Sequence, residues 1–281
     1  MKTKIEWTNE TCNPIKVIQN FGTPEAVIGG HWCRKISEGC LHCYAETLNN
    51  AGRWNWESGL KFTGDPPPLY LDRSMLDSWA RVKKSKRMFP FDMTDWCGDW
   101  ISPSWRLEIL DAMAAAPKIT FQTLTKRPEI LKKTVDAWLR SRQQHSLPKN
   151  IWLGCTIENQ KRAIERIPHF LNTTGQRWLS IEPLLGPIDF DEVRIENGGL
   201  FHAFDSFVLW AVIGGESGPN ARTMERQWVK DIFDQCQKWK VPIFFKQWGS
   251  NSPYNLGGKG GDFADPNFPE WSKIREFPEG M

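Results

Sequence analysis

Lys118-Ile119-Thr120-Phe121-Gln122-Thr123-Leu124-Thr125-Lys126-Arg127-Pro128 holds a whole structural unit in one short run. Its first seven residues carry Ile119, Phe121 and Leu124 among β-branched threonines, an apolar, β-rich segment of the kind found in a strand buried on both faces. Thr125, Lys126 and Arg127 follow as a polar tip, and Pro128 stands where a helix makes its first turn. Beyond it, Ile130, Leu131, Val135, Trp138 and Leu139 recur at helical spacing. The run therefore reads as strand, tip and helix.

That unit recurs at roughly 30-residue intervals, the length of one strand–helix repeat. Further β-rich apolar segments lie at 87–92, 150–155, 177–181, 208–213 and 241–245. Pro90 marks the first as a candidate edge strand. Asn159 is the expected N-cap of a helix carrying Ala163, Ile164 and Ile167. Trp228, Val229, Ile232, Phe233 and Cys236 form another stripe, with Cys236 as core. Alternating strands and helices predict a parallel α/β fold with right-handed crossovers.

In such folds the chemistry sits at the C-terminal rim of the strands. The tips here carry Asp92, Thr94 and Asp95; Lys126 and Arg127; Thr156 and Glu158; Glu182; Gly214, Gly215 and Glu216; and Lys246 with Gln247. One such tip would be read as helix capping and local pairing. Six together predict a single cavity.

The length of 281 residues fits one large α/β domain. A net charge of +3 excludes a protein dedicated to coating DNA, while leaving nucleic acid open as a substrate held in a local cleft. Most of the 16 Trp residues are expected in the core or a cleft wall, with base stacking the sharper alternative. The first residues lack the apolar run of a secretory signal, and no stretch is apolar enough to span a bilayer. Seven cysteines, an odd number with three in one motif, argue against a disulfide framework. The expectation is a soluble protein of the cytoplasm.

The three clustered cysteines lie in His31-Trp32-Cys33-Arg34-Lys35-Ile36-Ser37-Glu38-Gly39-Cys40-Leu41-His42-Cys43-Tyr44-Ala45-Glu46, spaced C-x6-C-x2-C. Structural zinc is one reading, with Cys12, His31 or His42 as fourth ligand. The other is an iron–sulfur cube held by Cys33, Cys40 and Cys43, which leaves one iron free to bind a reactant. A strand near residues 4–7 is expected to lead toward this loop, and Cys43 to Leu48 to begin the first helix. Residues 17–30 read as a loop insertion, and the Gly-, Pro- and Asn-rich residues 250–281 as an irregular covering tail.

Other motifs are excluded. Gly215-Glu216-Ser217-Gly218 lacks the spacing of a hydrolase elbow. No phosphate-binding glycine loop is present, and His31, His145, His169 and His202 show no metal-ligand spacing.

The chain resembles the phage and bacterial three-Cys-motif family of radical S-adenosylmethionine-like proteins, which is distantly similar to spore photoproduct lyase-like radical enzymes. The runs that carry the resemblance are Ile5-Glu6-Trp7-Thr8, Asn13-Pro14, residues 33–46, Leu124-Thr125-Lys126-Arg127-Pro128, residues 153–159, residues 180–187, Gly214-Gly215-Glu216-Ser217-Gly218 and residues 244–249. Cys12 stands where the family usually has Trp, and the stretch before Cys33 is longer than usual. The wider superfamily motif is C-x3-C-x-aromatic-C, whereas here the first gap is six and His42 takes the aromatic place.

The resemblance implies a partial (β/α)6 TIM-type barrel over residues 1–249 and a [4Fe–4S] cluster on Cys33, Cys40 and Cys43. S-adenosylmethionine would be cosubstrate and an external one-electron donor the reductant. Asp92, Thr94 and Asp95 would receive the methionine amino group, and Thr156 and Glu158 the ribose or adenine. Gly214 and Gly215 would let backbone approach the cosubstrate. Lys126, Arg127, Glu182, Glu216, Lys246 and Gln247 are left for the substrate. That substrate is expected to be a hypermodified pyrimidine of phage DNA, modified or isomerised in the host cytoplasm. A free metabolite or peptide as substrate, and a zinc-stabilised binding protein without catalysis, are the alternatives.

Overall fold

In the computed structural model the first parallel strand is β1 (Glu10–Cys12), not the residue 4–7 run expected to serve as one. The chain turns there instead, the Thr8 amide donating to the Ile5 carbonyl, and Trp7 is buried against Phe89 with 4.8 Å between ring centroids. The structure describes residues 2–50, 60–194, 208–251, 274–279 and 281. It divides into two units, Met1–Trp152 and Leu153–Met281.

In the first unit, the stretch expected as a loop insertion is a hairpin. β2 (Ile15–Gln19) pairs antiparallel with β3 (Val27–Ile28), Ile18 opposite Ile28. The period-2 burial of Ile15 and Val17 explains the strand: Val17 packs with Trp32, Ala45, Phe62 and Met93 under the cysteine loop. Helix α1 (Tyr44–Asn50) starts directly after Cys43, as expected. β4 (Leu69–Leu71) completes the small sheet in the order β3-β2-β4. Asp72 caps α2 (Arg73–Trp79) by accepting from the Met75 amide.

β5 (Lys86–Pro90) corrects the edge-strand reading of Pro90, because it lies between β1 and β6 (Ile119–Thr125). The Lys86 amide donates to the Lys118 carbonyl, so the Pro90 nitrogen faces the β6 side too. Pairing with β6 ends at Met88 opposite Phe121, and the missing N–H therefore leaves no ladder bond unmade. Between these strands runs α3 (Pro103–Ala114), and after β6 comes α4 (Pro128–Arg142). Leu131, Val135, Trp138 and Leu139 form the buried stripe of α4, and Pro128 opens it.

The strand β7 (Ile151–Thr156) runs from the last residues of the first unit into the second. There Asn159 caps α5 (Gln160–Leu171), accepting from the Arg162 amide at 3.0 Å. Ala163 and Ile167 are buried, four residues apart on one face, but Ile164 is 49% exposed and does not belong to that stripe. β8 (Gln176–Ile181) and β9 (Ala211–Gly214) follow, then α6 (Arg226–Lys238), which buries Val229, Ile232, Phe233 and Cys236, and β10 (Ile243–Gln247). The fold is mixed α/β, with a sheet in the order β1-β5-β6-β7-β8-β9-β10. The pairs β1–β5, β5–β6, β8–β9 and β9–β10 are all parallel.

Of the expected covering tail, residues 252–273 lie outside the described residues. Its last part caps the edge of β10: Arg275 bridges Phe244 antiparallel, and Phe277 packs on Trp210 and Phe244. No described helix is long and apolar enough to cross a membrane.

The loops after β9 and β10 interlock through their glycines. The Gly215 amide donates to the Gln247 carbonyl at 2.9 Å, and a Cβ on Gly215 would lie 2.2 Å from the Trp248 carbonyl oxygen. Backbone cannot yield as a side chain does. Gly215→Ala should therefore lose about 2–4 kcal/mol in urea unfolding. A Cβ on Gly186 would meet only the Asn159 Cβ, at 3.4 Å. Gly186→Ala should accordingly change stability by less than about 1 kcal/mol. Equal stability of the two variants would show that the loops are not locked together.

Candidate functional site

In the first unit the cysteine loop passes through a single 3-10 turn (Glu38–Cys40) and delivers Cys43 to the start of α1. All seven cysteines of the chain are free thiols. Cys33 and Cys43 are half-buried on the same apolar cluster of Val17, Trp32, Ala45, Phe62 and Met93. Burial pushes the Cys33 thiol up, the Asp95 charge adds to this, and the Asp95 backbone N–H and the Arg127 guanidinium oppose it. Burial also raises Cys43, against the Glu46 and Ala45 backbone N–H groups and the Lys126 charge. Cys40 Sγ lies 3.6 Å from Ser37 Oγ. Among the described residues, no three His, Cys, Asp or Glu side chains are grouped so as to hold a metal ion.

Side chains from the strand tips hold this loop at several points. Thr94 Oγ1 donates to the Trp32 carbonyl at 2.6 Å, and Tyr44 donates from its hydroxyl to the Asp92 carbonyl at 2.6 Å. Arg127 donates from Nη2 to the Arg34 carbonyl at 3.0 Å and from Nη1 to Asp95 at 2.9 Å. Its guanidinium lies 4.5 Å from the centre of the Trp100 ring. Arg127 is only 6% exposed, its guanidinium being spent on Asp95, the Arg34 carbonyl and the Trp100 ring.

Asp95 is likewise committed. Oδ1 accepts from Thr125 Oγ1 at 2.7 Å and from the Cys97 amide at 3.0 Å. Oδ2 accepts from the Lys126 amide and from Arg127. Asp92 differs, because no cation pairs with it among the described residues. Asn13 Nδ2 donates to its Oδ1 at 2.6 Å, and burial pushes the carboxyl up to about 6 despite that bond.

The second unit holds the remaining tips. Thr156 is buried, and its carbonyl accepts from Arg166 Nη1 at 2.7 Å. The same nitrogen donates to Glu158, whose side chain is wholly buried. Glu216 is buried against Arg222, which meets one carboxylate oxygen through Nε at 2.9 Å and the other through Nη2. Gln247 donates to the Gly215 carbonyl at 2.7 Å and to Ser217 Oγ at 3.1 Å, and accepts from the Gly249 amide. The backbone that closes on Gly215 is thus the chain's own.

Glu182 and Lys246 pair with each other and stay 19% and 21% exposed. They arise from β8 and β10, on either side of β9, and Gly214 at the end of β9 leaves room for them: a Cβ there would come 3.3 Å from the Glu182 carboxyl. Arg166 and Arg222 escaped the reading of the residues. Arg166 carried a signal, since it lies on the Ala163, Ile167 and Phe170 face of α5, where an arginine needs a buried partner. Arg222 carried none.

A family model described as a protein of unknown function (DUF5131) matches residues 2–265, and the chain belongs to that family. No curated protein and no solved structure matches the chain.

The raised carboxyl of Asp92 gives a test of its surroundings. The folded chain keeps a proton there that the unfolded chain releases between the ordinary value of 3.8 and about 6. Stability should therefore fall as pH rises through that window, by at most about 1.4 kcal/mol per pH unit. Asp92→Asn should abolish this part of the slope in urea unfolding measured at pH 4, 5, 6 and 7. A slope that survives unchanged would assign it to another group.

Proposed function

We propose that the chain is a radical S-adenosylmethionine enzyme on a partial (β/α)6 barrel, with a [4Fe–4S] cluster on Cys33, Cys40 and Cys43. Its proposed substrate is a modified pyrimidine base in DNA, and its reductant an external one-electron donor. The observation that carries the reading is the donor set. Three thiols outside any disulfide share one loop, Cys33 and Cys43 pack on the same apolar cluster, and nearby backbone N–H groups together with the Arg127 and Lys126 charges act to favour the thiolate forms of those two. Hydrogen bonds to sulfur and nearby charge are the means by which a protein tunes such a cluster.

When bound, the cluster supplies the electron that cleaves an S–C bond of S-adenosylmethionine and releases a 5′-deoxyadenosyl radical. The chain's own residues bind and orient. Asp92, without a cation of its own, suits an ammonium group, which would relieve the penalty on its buried charge. Thr94 and Asp95 serve by holding the loop, their side chains being bonded already. Glu158, Glu216 and Gln247 shape the tips of the second unit in the same way. Glu182 and Lys246 are the half-exposed pair, with a carboxylate acceptor and an ammonium donor side by side. Such a pair suits the alternating donor and acceptor edge of a pyrimidine.

Anaerobic reconstitution with iron and sulfide, followed by reduction in the presence of S-adenosylmethionine, tests this. The expected result is a brown protein that forms 5′-deoxyadenosine, and loss of that product in each of Cys33→Ala, Cys40→Ala and Cys43→Ala. Phage DNA containing hypermodified pyrimidines should then yield an altered nucleoside on digestion and chromatography. A colourless protein with one zinc per chain would overturn the cluster. Product formation from a free metabolite or peptide, with DNA inert, would overturn the choice of substrate.

A further inference from the structure

We infer that Arg127 and Asp95 are positioning residues for Cys33: as one buried ion pair they fix the first cysteine to the strand tips and set the charge beside its sulfur. This rests on the cluster reading above for its redox consequence, but its geometric half stands without it. Three contacts carry it. The Cys33 thiol donates to the Arg34 carbonyl at 3.9 Å, Arg127 donates to that same carbonyl at 3.0 Å, and the Arg127 and Asp95 side chains bond to each other at 2.9 Å. The carbonyl that meets the Cys33 sulfur is thus the one that Arg127 holds.

The geometry is over-determined in a way that stability alone does not ask for. A buried ion pair is a weak source of stability, because desolvation of both groups offsets most of their attraction. Here the planar fork of Arg127 bonds to Asp95 and Arg34 while its face lies on Trp100. Lysine cannot reproduce that set of contacts, having one compact charge and no plane. Trp100 is itself held edge-on by Trp32, at 5.0 Å between ring centroids, and Trp32 immediately precedes Cys33. Arg34 lies 5.6 Å from each of these two rings and pairs with Asp99 on the outer side. The sulfur thus sits at the end of a stack with few ways to move.

Two readouts separate position from charge. For position, the metal-free full-length protein is treated with iodoacetamide at fixed pH, and alkylation of each cysteine is followed by peptide mass spectrometry. Arg127→Lys and Arg127→Gln should each speed alkylation of Cys33 about fivefold or more by local opening, with Cys40 changing less than about twofold. For charge, the reduction potential of the reconstituted protein is measured. Arg127→Gln should lower it and Asp95→Asn should raise it, Arg127→Lys should leave it near the wild-type value, and the double variant Asp95→Asn/Arg127→Gln should return toward it.

Cys33 alkylation at the wild-type rate in Arg127→Lys would overturn the positioning role. Potentials that shift in the same direction, or not at all, would overturn the electrostatic one. A wild-type protein that takes up no iron would sink the proposed function instead, and the alkylation measurement would still decide the position of Cys33.

Discussion

Asp95 keeps a carboxylate where only 8% of the residue meets solvent, and four donors share its charge. Thr125, the Cys97 amide, the Lys126 amide and Arg127 fill both of its oxygens. An ionised carboxylate has room for about four such bonds, so none of its capacity is left over. The donors come from the tips of β5 and β6 and, through Arg127, reach the cysteine loop. Leaving out any one of them would strand a buried charge, which is far more destabilising than the pair is stabilising. Through this carboxylate, a loop without regular structure beyond one short turn acquires a definite place against a sheet.

The second unit solves the same problem with different partners. Glu158 is matched by Arg166 from α5, and Glu216 by Arg222 from the loop that it begins. Both acids lie at strand tips, and both are closed by an arginine whose fork can meet a carboxylate through more than one nitrogen. Gln247 does for the backbone what these arginines do for the acids, bonding to the Gly215 carbonyl and the Gly249 amide at once. The polar tips thus divide into two kinds. Most are spent on internal bonds, whereas Asp92 meets no cation among the described residues and the Glu182–Lys246 pair stays partly exposed.

That division explains which parts were legible in the sequence. Strands β5 to β10 were found because burial on both faces writes a continuous apolar run, and Pro128 and Asn159 marked helix starts through their own local chemistry. The hairpin at 15–28 was missed because its alternation is short and only Ile15 and Val17 report the buried face. Residues 4–7 misled because Trp7 is apolar for a packing reason unrelated to strand pairing. At the rim, residue type showed where polar chemistry gathers, but not which side chains were already committed. A carboxylate spent on four internal bonds and one that meets no cation are the same letter. Only contacts distant in sequence, such as Arg127 to Arg34 across 93 positions of chain, tell them apart.

The cysteines present the opposite case, in which sequence carries more than local structure does. Among the described residues they form no grouping of three that could hold a metal ion, and burial disfavours the charged forms of Cys33 and Cys43. Thiolate ligation reverses that balance, since a metal centre replaces the lost solvation and releases the proton. The backbone N–H groups that oppose the effect of burial on Cys33 and Cys43 would then act in the same direction as the proposed metal centre, because each favours sulfur as an anion. Arg127 and Lys126 bring positive charge to a site that three thiolates would make strongly negative. Those N–H groups and cations beside two of the three sulfurs favour the proposed ligand set over a role as core.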